Sequence, residues 1–206
     1  MSGARDDVLA RVRAALADVP RDETPVPVAY DPPPPSGVEP VARFVERVSD
    51  YRATVREAAD VAATIEQVCA EHGAQRIGVP RGLPADWHPD GLDLVTDEGL
   101  GVRDLDALDG ALTGCALAIA ETGTIVLDGG EHSGRRALTL VPDLHVCVVE
   151  RARIVASVPE AIRALHGARG PFTLVSGPSA TSDIELDRVE GVHGPRRLEV
   201  VLVASR

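Results

Sequence analysis

The chain has 206 residues, only 2% of them aromatic, and a net charge of −11. That acidity disfavours nucleic acid and anionic membrane surfaces as partners, because like charges repel. All 21 basic residues are Arg, so Schiff-base lysine chemistry and a P-loop lysine are excluded.

Residues 6–18 place Val8, Leu9, Val12 and Leu16 at helical spacing, with Asp6 and Asp7 where the helix dipole favours acid. Residues 19–40 are rich in proline, which lacks an N–H donor and fixes φ, so they read as a stiff linker. Residues 1–39 are therefore expected to form a helical arm and linker, and residues 40–206 a separate domain. Val41, Phe44, Val45 and Val48 share one face of a helix over 40–50, and a short strand follows near Ala53–Arg56. A helix over 58–72 stops at Gly73. Short apolar strands then follow at 76–80, 92–97, 145–150, 172–177 and 197–204, with a helix at 158–167. The stretch 115–127 reads as one longer strand interrupted at Gly123. Near-continuous apolar strands alternating with helices predict an α/β fold, a mainly parallel sheet covered by helices on both faces.

Cys69, Cys115 and Cys147 are far apart and form no C-x-x-C pair, so they suggest neither a disulfide framework nor a zinc site. Three thiols also cannot supply the four that an iron–sulfur cluster takes. The charged stretch from Arg5 to Arg13 does not read as a signal peptide, and no apolar run approaches the ~20 residues of a membrane helix. The expectation is a cytoplasmic protein with no membrane span and no metal of its own.

Ligands of open parallel sheets bind beyond the carboxyl ends of the strands, so residues that follow strands are the candidates. Glu121, Thr122, Gly123 and Thr124 come after "ALAIA" and are expected at the rim of such a crevice. An unpaired carboxylate there is costly, so Glu121 is either a nucleophile or general base, or an acceptor that holds a loop. Ser176 and Gly177 end a strand, and Ser179, Thr181, Ser182 and Asp183 follow as helix caps or as a small anion pocket. Ser182 with Glu185 forms a capping box. Glu190 and His193 lie in a glycine-broken segment, with His193 either an acid/base group or a structural hydrogen-bonder. His145 reads as structural. Arg135 and Arg136 in the glycine loop 128–136 are placed to receive a carboxylate or phosphate, unless that loop is only a solvated turn.

Four segments in order, Ala120–Thr124, Val141–His145, Ser176–Glu185 and Glu190–Pro195, carry a family resemblance. Over roughly residues 40–206 the chain resembles the lactate utilization protein C family, built on the LUD domain. The resemblance implies a fold related to the ribose-5-phosphate isomerase, glucosamine-6-phosphate deaminase and CoA-transferase superfamily. It implies a cluster-free subunit working with two iron–sulfur partner proteins that oxidise L-lactate to pyruvate, and a crevice for a small anionic or nucleotide-like ligand. The rival reading is a stand-alone acyl or CoA transferase, or a sugar-phosphate isomerase, using Glu121. No catalytic assignment transfers from the family, so Glu121 and His193 are catalytic candidates on their chemistry alone.

A chain lacking residues 1–38 should still melt in one cooperative transition, checked by calorimetry or circular dichroism. Loss of cooperativity would show that the arm belongs to the fold.

Overall fold

A computed structural model describes residues 3–19, 37, 39–168, 170–178 and 194–204. The chain divides into two units, residues 1–32 and 33–206. Within the first, α1 spans Ala4–Ala15, with Asp6 and Asp7 in its first turn and Arg13 in its last, as the dipole favours. Most of the proline-rich stretch lies outside the described residues.

The second unit is built on six parallel strands. They are β1 (Thr54–Ala58), β2 (Arg76–Val79), β3 (Asp93–Thr96), β4 (Gly110–Thr113), β7 (Leu144–Glu150) and β10 (Arg197–Val203). Their order across the sheet is β1-β10-β7-β4-β2-β3, parallel throughout. A smaller sheet has the order β8-β5-β6-β9, formed by β5 (Leu117–Ile119), β6 (Thr124–Leu127), β8 (Ile154–Val155) and β9 (Thr173–Val175).

The expected α/β architecture is therefore present, with one correction. Residues 115–127 are not a single interrupted strand. The chain reverses over Ala120–Gly123, and β5 and β6 pair antiparallel, Leu117 opposite Val126 and Ile119 opposite Thr124. Gly123 at φ +62 supplies the left-handed residue that the reversal needs. An apolar run with one glycine reads the same whether the chain continues or folds back on itself.

Both faces of the large sheet are covered. Helix α3 (Val61–His72) begins with Asp60 accepting the Ala63 N–H at 3.0 Å and ends on Gly73 at φ +68. Its Ile65, Val68 and Cys69 pack against Ile77, Val79, Val146, Val148 and Val201. On the other face, α2 (Pro40–Asp50) sets Phe44 and Val48 against Cys147, Val149, Val200 and Leu202. The same apolar cluster takes in Ala118, Ile125 and Leu127 of the small sheet and Ala120 of the turn between β5 and β6. Beyond it, Ala161 of α6 (Val158–Ala164) packs on Leu117, Ile119 and Val126. Two short helices, α4 (Val102–Asp106) and α5 (Arg136–Leu140), contribute Leu105 and Leu138 to a cluster with Ala111 at the β2–β4 side.

Glu199 and His145 are among the polar groups buried in this packing. Glu199 of β10 accepts Arg56 Nε at 3.0 Å and contacts His72 Nε2 at 2.9 Å. Arg56 also pairs with Glu71 at 2.6 Å. His145 of β7 is buried, and its Nε2 lies 2.8 Å from Thr113 Oγ1. This is the structural role its sequence position suggests. Burial lowers its pKa to about 4, so it is neutral in the folded protein.

That shift has a definite sign. The unfolded chain takes up the proton first, so the contribution of neutral His145 is complete above its ordinary pKa near 6.5. It is lost progressively as pH falls toward about 4, by up to about 3 kcal/mol. Urea titrations at pH 7 and pH 4.5 should show a larger acid loss for the wild-type chain than for His145→Gln. Equal losses would remove His145 as the cause.

Candidate functional site

Among the described residues, the candidates divide between the two ends of the small sheet. Strand β6 leads from one to the other, and its four residues cover roughly 10 Å at about 3.3 Å per step.

The first end is the tip of the β5–β6 hairpin. Thr122 Oγ1 lies 2.7 Å from Thr124 Oγ1, which lies 2.7 Å from Ser176 Oγ at the end of β9. Two candidate segments more than fifty residues apart thus meet in one chain of hydroxyls. Gly123 and Gly177 both press against the end of α2. A Cβ at Gly123 would stand 2.8 Å from the Arg47 and Val48 backbone, and one at Gly177 2.6 Å from the Tyr51 carbonyl oxygen. Both glycines have positive φ. The close approach seats the hairpin on the helix.

Glu121 faces another way. Its backbone N–H donates to Ala156 O at 3.1 Å, and its Oε2 accepts the Val158 N–H at 3.4 Å, in the first turn of α6. The carboxylate is thus engaged in holding the segment before α6, the loop-holding alternative of the sequence reading. It is not at the carboxyl edge of the large sheet, where the single-strand reading of 115–127 placed it.

That edge is the second end. Strands β2 and β4 are neighbours, but the chain leaves β2 toward β3 on one side and leaves β4 toward β7 on the other. This is the topological switch point at which open α/β sheets bind ligands. Here the glycine loop after β6 is stitched across it. Gly82 N–H donates to Glu131 O at 3.1 Å, and Gly114 N–H donates to His132 O at 2.9 Å. Asp128 Oδ1 closes the loop by accepting Gly130 N–H at 3.0 Å and the hydroxyl of buried Ser133 at 2.9 Å.

The two arginines of the loop differ in state. Arg135 is paired with Asp97, just after β3, through Nε–Oδ2 at 2.6 Å and Nη2–Oδ1 at 2.9 Å. It also donates to Leu100 O. Asp97 Oδ1 further accepts the Gly99 and Leu100 N–H groups at 3.1 and 3.0 Å. Burial works against ionising Asp97, but the Arg135 guanidinium and those amides outweigh it and hold its carboxyl below the usual range. The Arg136 guanidinium has no hydrogen bond or ion pair among the described residues, while its backbone carbonyl accepts the Thr139 hydroxyl at 3.2 Å. Arg136 lines a pocket of about 290 Å³ with Leu127, Asp128, Thr139, Pro171 and Thr173. A second hollow of about 360 Å³, beyond the Asp97–Arg135 pair, is lined by Pro80, Arg81 and Glu131.

Ser179, Thr181, Ser182, Asp183, Glu190 and His193 lie outside the described residues. The Val141–His145 segment sits at the opposite, amino edge of the large sheet, where Val141–Leu144 line a hollow of about 390 Å³ with Arg196 and Arg197. Asp97 was missed in the sequence, although its place directly after a strand and two residues before Gly99 was a usable signal. Asp128 was missed for want of any pattern marking a carboxylate that closes its own loop.

Gly123→Ala should cost about 2 kcal/mol or more, because the added methyl meets helix backbone and the positive φ disfavours it. Denaturant unfolding measures this. A loss within experimental error would mean that the hairpin and α2 are not held this closely.

A family model for the LUD domain matches residues 41–203. Lactate utilization protein C of Deinococcus radiodurans is 46% identical over 197 residues, covering 93% of this chain and 91% of that one. The protein of the same name from Geobacillus sp. strain WCH70 is 28% identical over 171 residues, covering 72% and 70%. The crystal structure of a DUF162 family protein from Deinococcus radiodurans superposes with a TM-score of 0.70 at 41% identity, over 80% of this chain and 96% of that one. On both sequence and fold, the chain belongs to the LUD domain family.

Proposed function

We propose that this protein is a component of a cytoplasmic system that oxidises L-lactate to pyruvate. In that system it carries no iron–sulfur cluster itself and works beside two iron–sulfur proteins that do. It binds a small anionic ligand. The observation that carries the reading is the 46% identity to a lactate utilization protein C over nearly the full length of both chains. The three cysteines are buried and support a cluster-free role. Burial raises the Cys69 thiol to about 11. The contact with the Cys147 thiol, and then burial, push that of Cys115 well above its ordinary value. Thiols held protonated in this way are poor nucleophiles, because the thiolate is the reactive form. Among the described residues no helix is long and apolar enough to cross a membrane, which accords with work in the cytoplasm. The rival reading of a transferase or isomerase built on Glu121 gains nothing from the position of that carboxylate beside α6.

Deleting the gene in its host should abolish growth on L-lactate as sole carbon source and leave growth on pyruvate intact, with restoration by the wild-type gene. Normal growth of the deletion strain on L-lactate would overturn the proposal.

A further inference from the structure

The switch-point crevice between β2 and β4 is already filled by the chain's own backbone at Glu131 and His132. Binding space at this edge therefore lies to the side of the glycine loop. Two hollows flank it, separated by the Asp97–Arg135 pair, and they differ in charge. In the one beside Arg81, that arginine lies 3.6 Å from Glu98, and Glu131 and Asp97 also line it or border it. Every cation there has an acidic neighbour. In the other, Arg136 faces the space with no ion-pair partner among the described residues, while Arg135 is held from behind by Asp97. The facing carboxylate, Asp128, has its Oδ1 occupied by Gly130 N–H and the Ser133 hydroxyl.

We infer that the pocket of Arg136, Thr139 and Thr173 binds a short 2-hydroxy- or 2-oxo-carboxylate as a monoanion. The inference deepens the lactate-utilization proposal and rests on it for the choice of acid. Three features of the wall fit the three parts of such a molecule. Arg136 offers a planar fork that takes a carboxylate through two parallel N–H···O bonds. Thr173 brings a hydroxyl for the 2-oxygen, and Thr139 Oγ1, whose proton goes to Arg136 O at 3.2 Å, can accept from a 2-hydroxyl. Leu127 and Pro171 give an apolar wall for the carbon tail. At about 290 Å³ the pocket has room for a three- or four-carbon acid. The charge sets the preference for a monoanion. Among the described residues one unpaired guanidinium faces one carboxylate, so a dianionic phosphate would meet repulsion from Asp128 that those residues do not offset with a second free cation.

The probes are L-lactate, pyruvate and inorganic phosphate, each titrated into the full-length protein and followed by saturation-transfer NMR. Saturable binding of L-lactate or pyruvate is expected, weakened about tenfold or more in Arg136→Gln, as for loss of a bidentate charge-assisted contact. Arg136→Lys should recover only part of it, since it restores charge without the fork. Unchanged melting temperatures would show that both variants fold. Absence of saturable carboxylate binding by the wild-type protein overturns the inference. So does binding that Arg136→Gln leaves unaltered, and so does phosphate binding at least as tight as that of the carboxylates. These outcomes are separate from the growth test: a deletion strain that thrives on L-lactate defeats the metabolic role whatever the titrations show.

Discussion

One apolar layer holds the domain together. Phe44 and Val48 of α2 are packed between the large sheet and the small one, touching aliphatic side chains of both. Few aromatic residues are present, so close aliphatic packing has to supply most of the driving force, and such packing tolerates little displacement. The approach of the hairpin to the helix follows from this. Gly123 and Gly177 have no side chains because the backbones of Arg47 and Tyr51 occupy the space where a Cβ would stand. With the hairpin seated, β6 has a fixed direction, and the glycine loop that follows it is delivered across the carboxyl ends of β2 and β4. The position of Arg136 is thus a remote result of how α2 is wedged.

Much of the framework was legible in the residues. β7 and β10 are apolar runs buried along nearly their whole length, the pattern of strands in a covered parallel sheet. The end of α3 at Gly73 was legible, but its start was placed at residue 58, which closes β1; the helix begins at Val61 behind the Asp60 cap. The hairpin was not legible, because β5 and β6 are buried at every position, and a continuous apolar run with one glycine reads the same whether the strand goes on or reverses. β4 escaped because four residues beginning with glycine carry too little pattern, and their burial comes from β2 and β7 on either side. Helices α4 and α5, five residues each, are fixed by the tertiary packing of Leu105 and Leu138 more than by their own propensity.

The site was legible in its chemistry and less so in its grouping. Thr124 and Ser176 were both marked as strand-end hydroxyls, and they do meet. Arg135 and Arg136 are adjacent in sequence and identical in type, yet one is locked to an acid 38 residues earlier and the other is not. Nothing in a linear pattern separates them. The distinction comes from Asp97, whose carboxylate is buried and so needs a cation at that place.

The way the two sheets are joined also restricts motion. β4 passes into β5 through Gly114–Ala116, and β7 passes into β8 through Arg151–Arg153, three residues in each case. Two short covalent tethers, side by side, leave no room for a hinge between the layers. Rocking one sheet over the other would have to stretch both tethers and shear the aliphatic contacts at the same time. The paired tethers and the aliphatic layer thus oppose such rocking together.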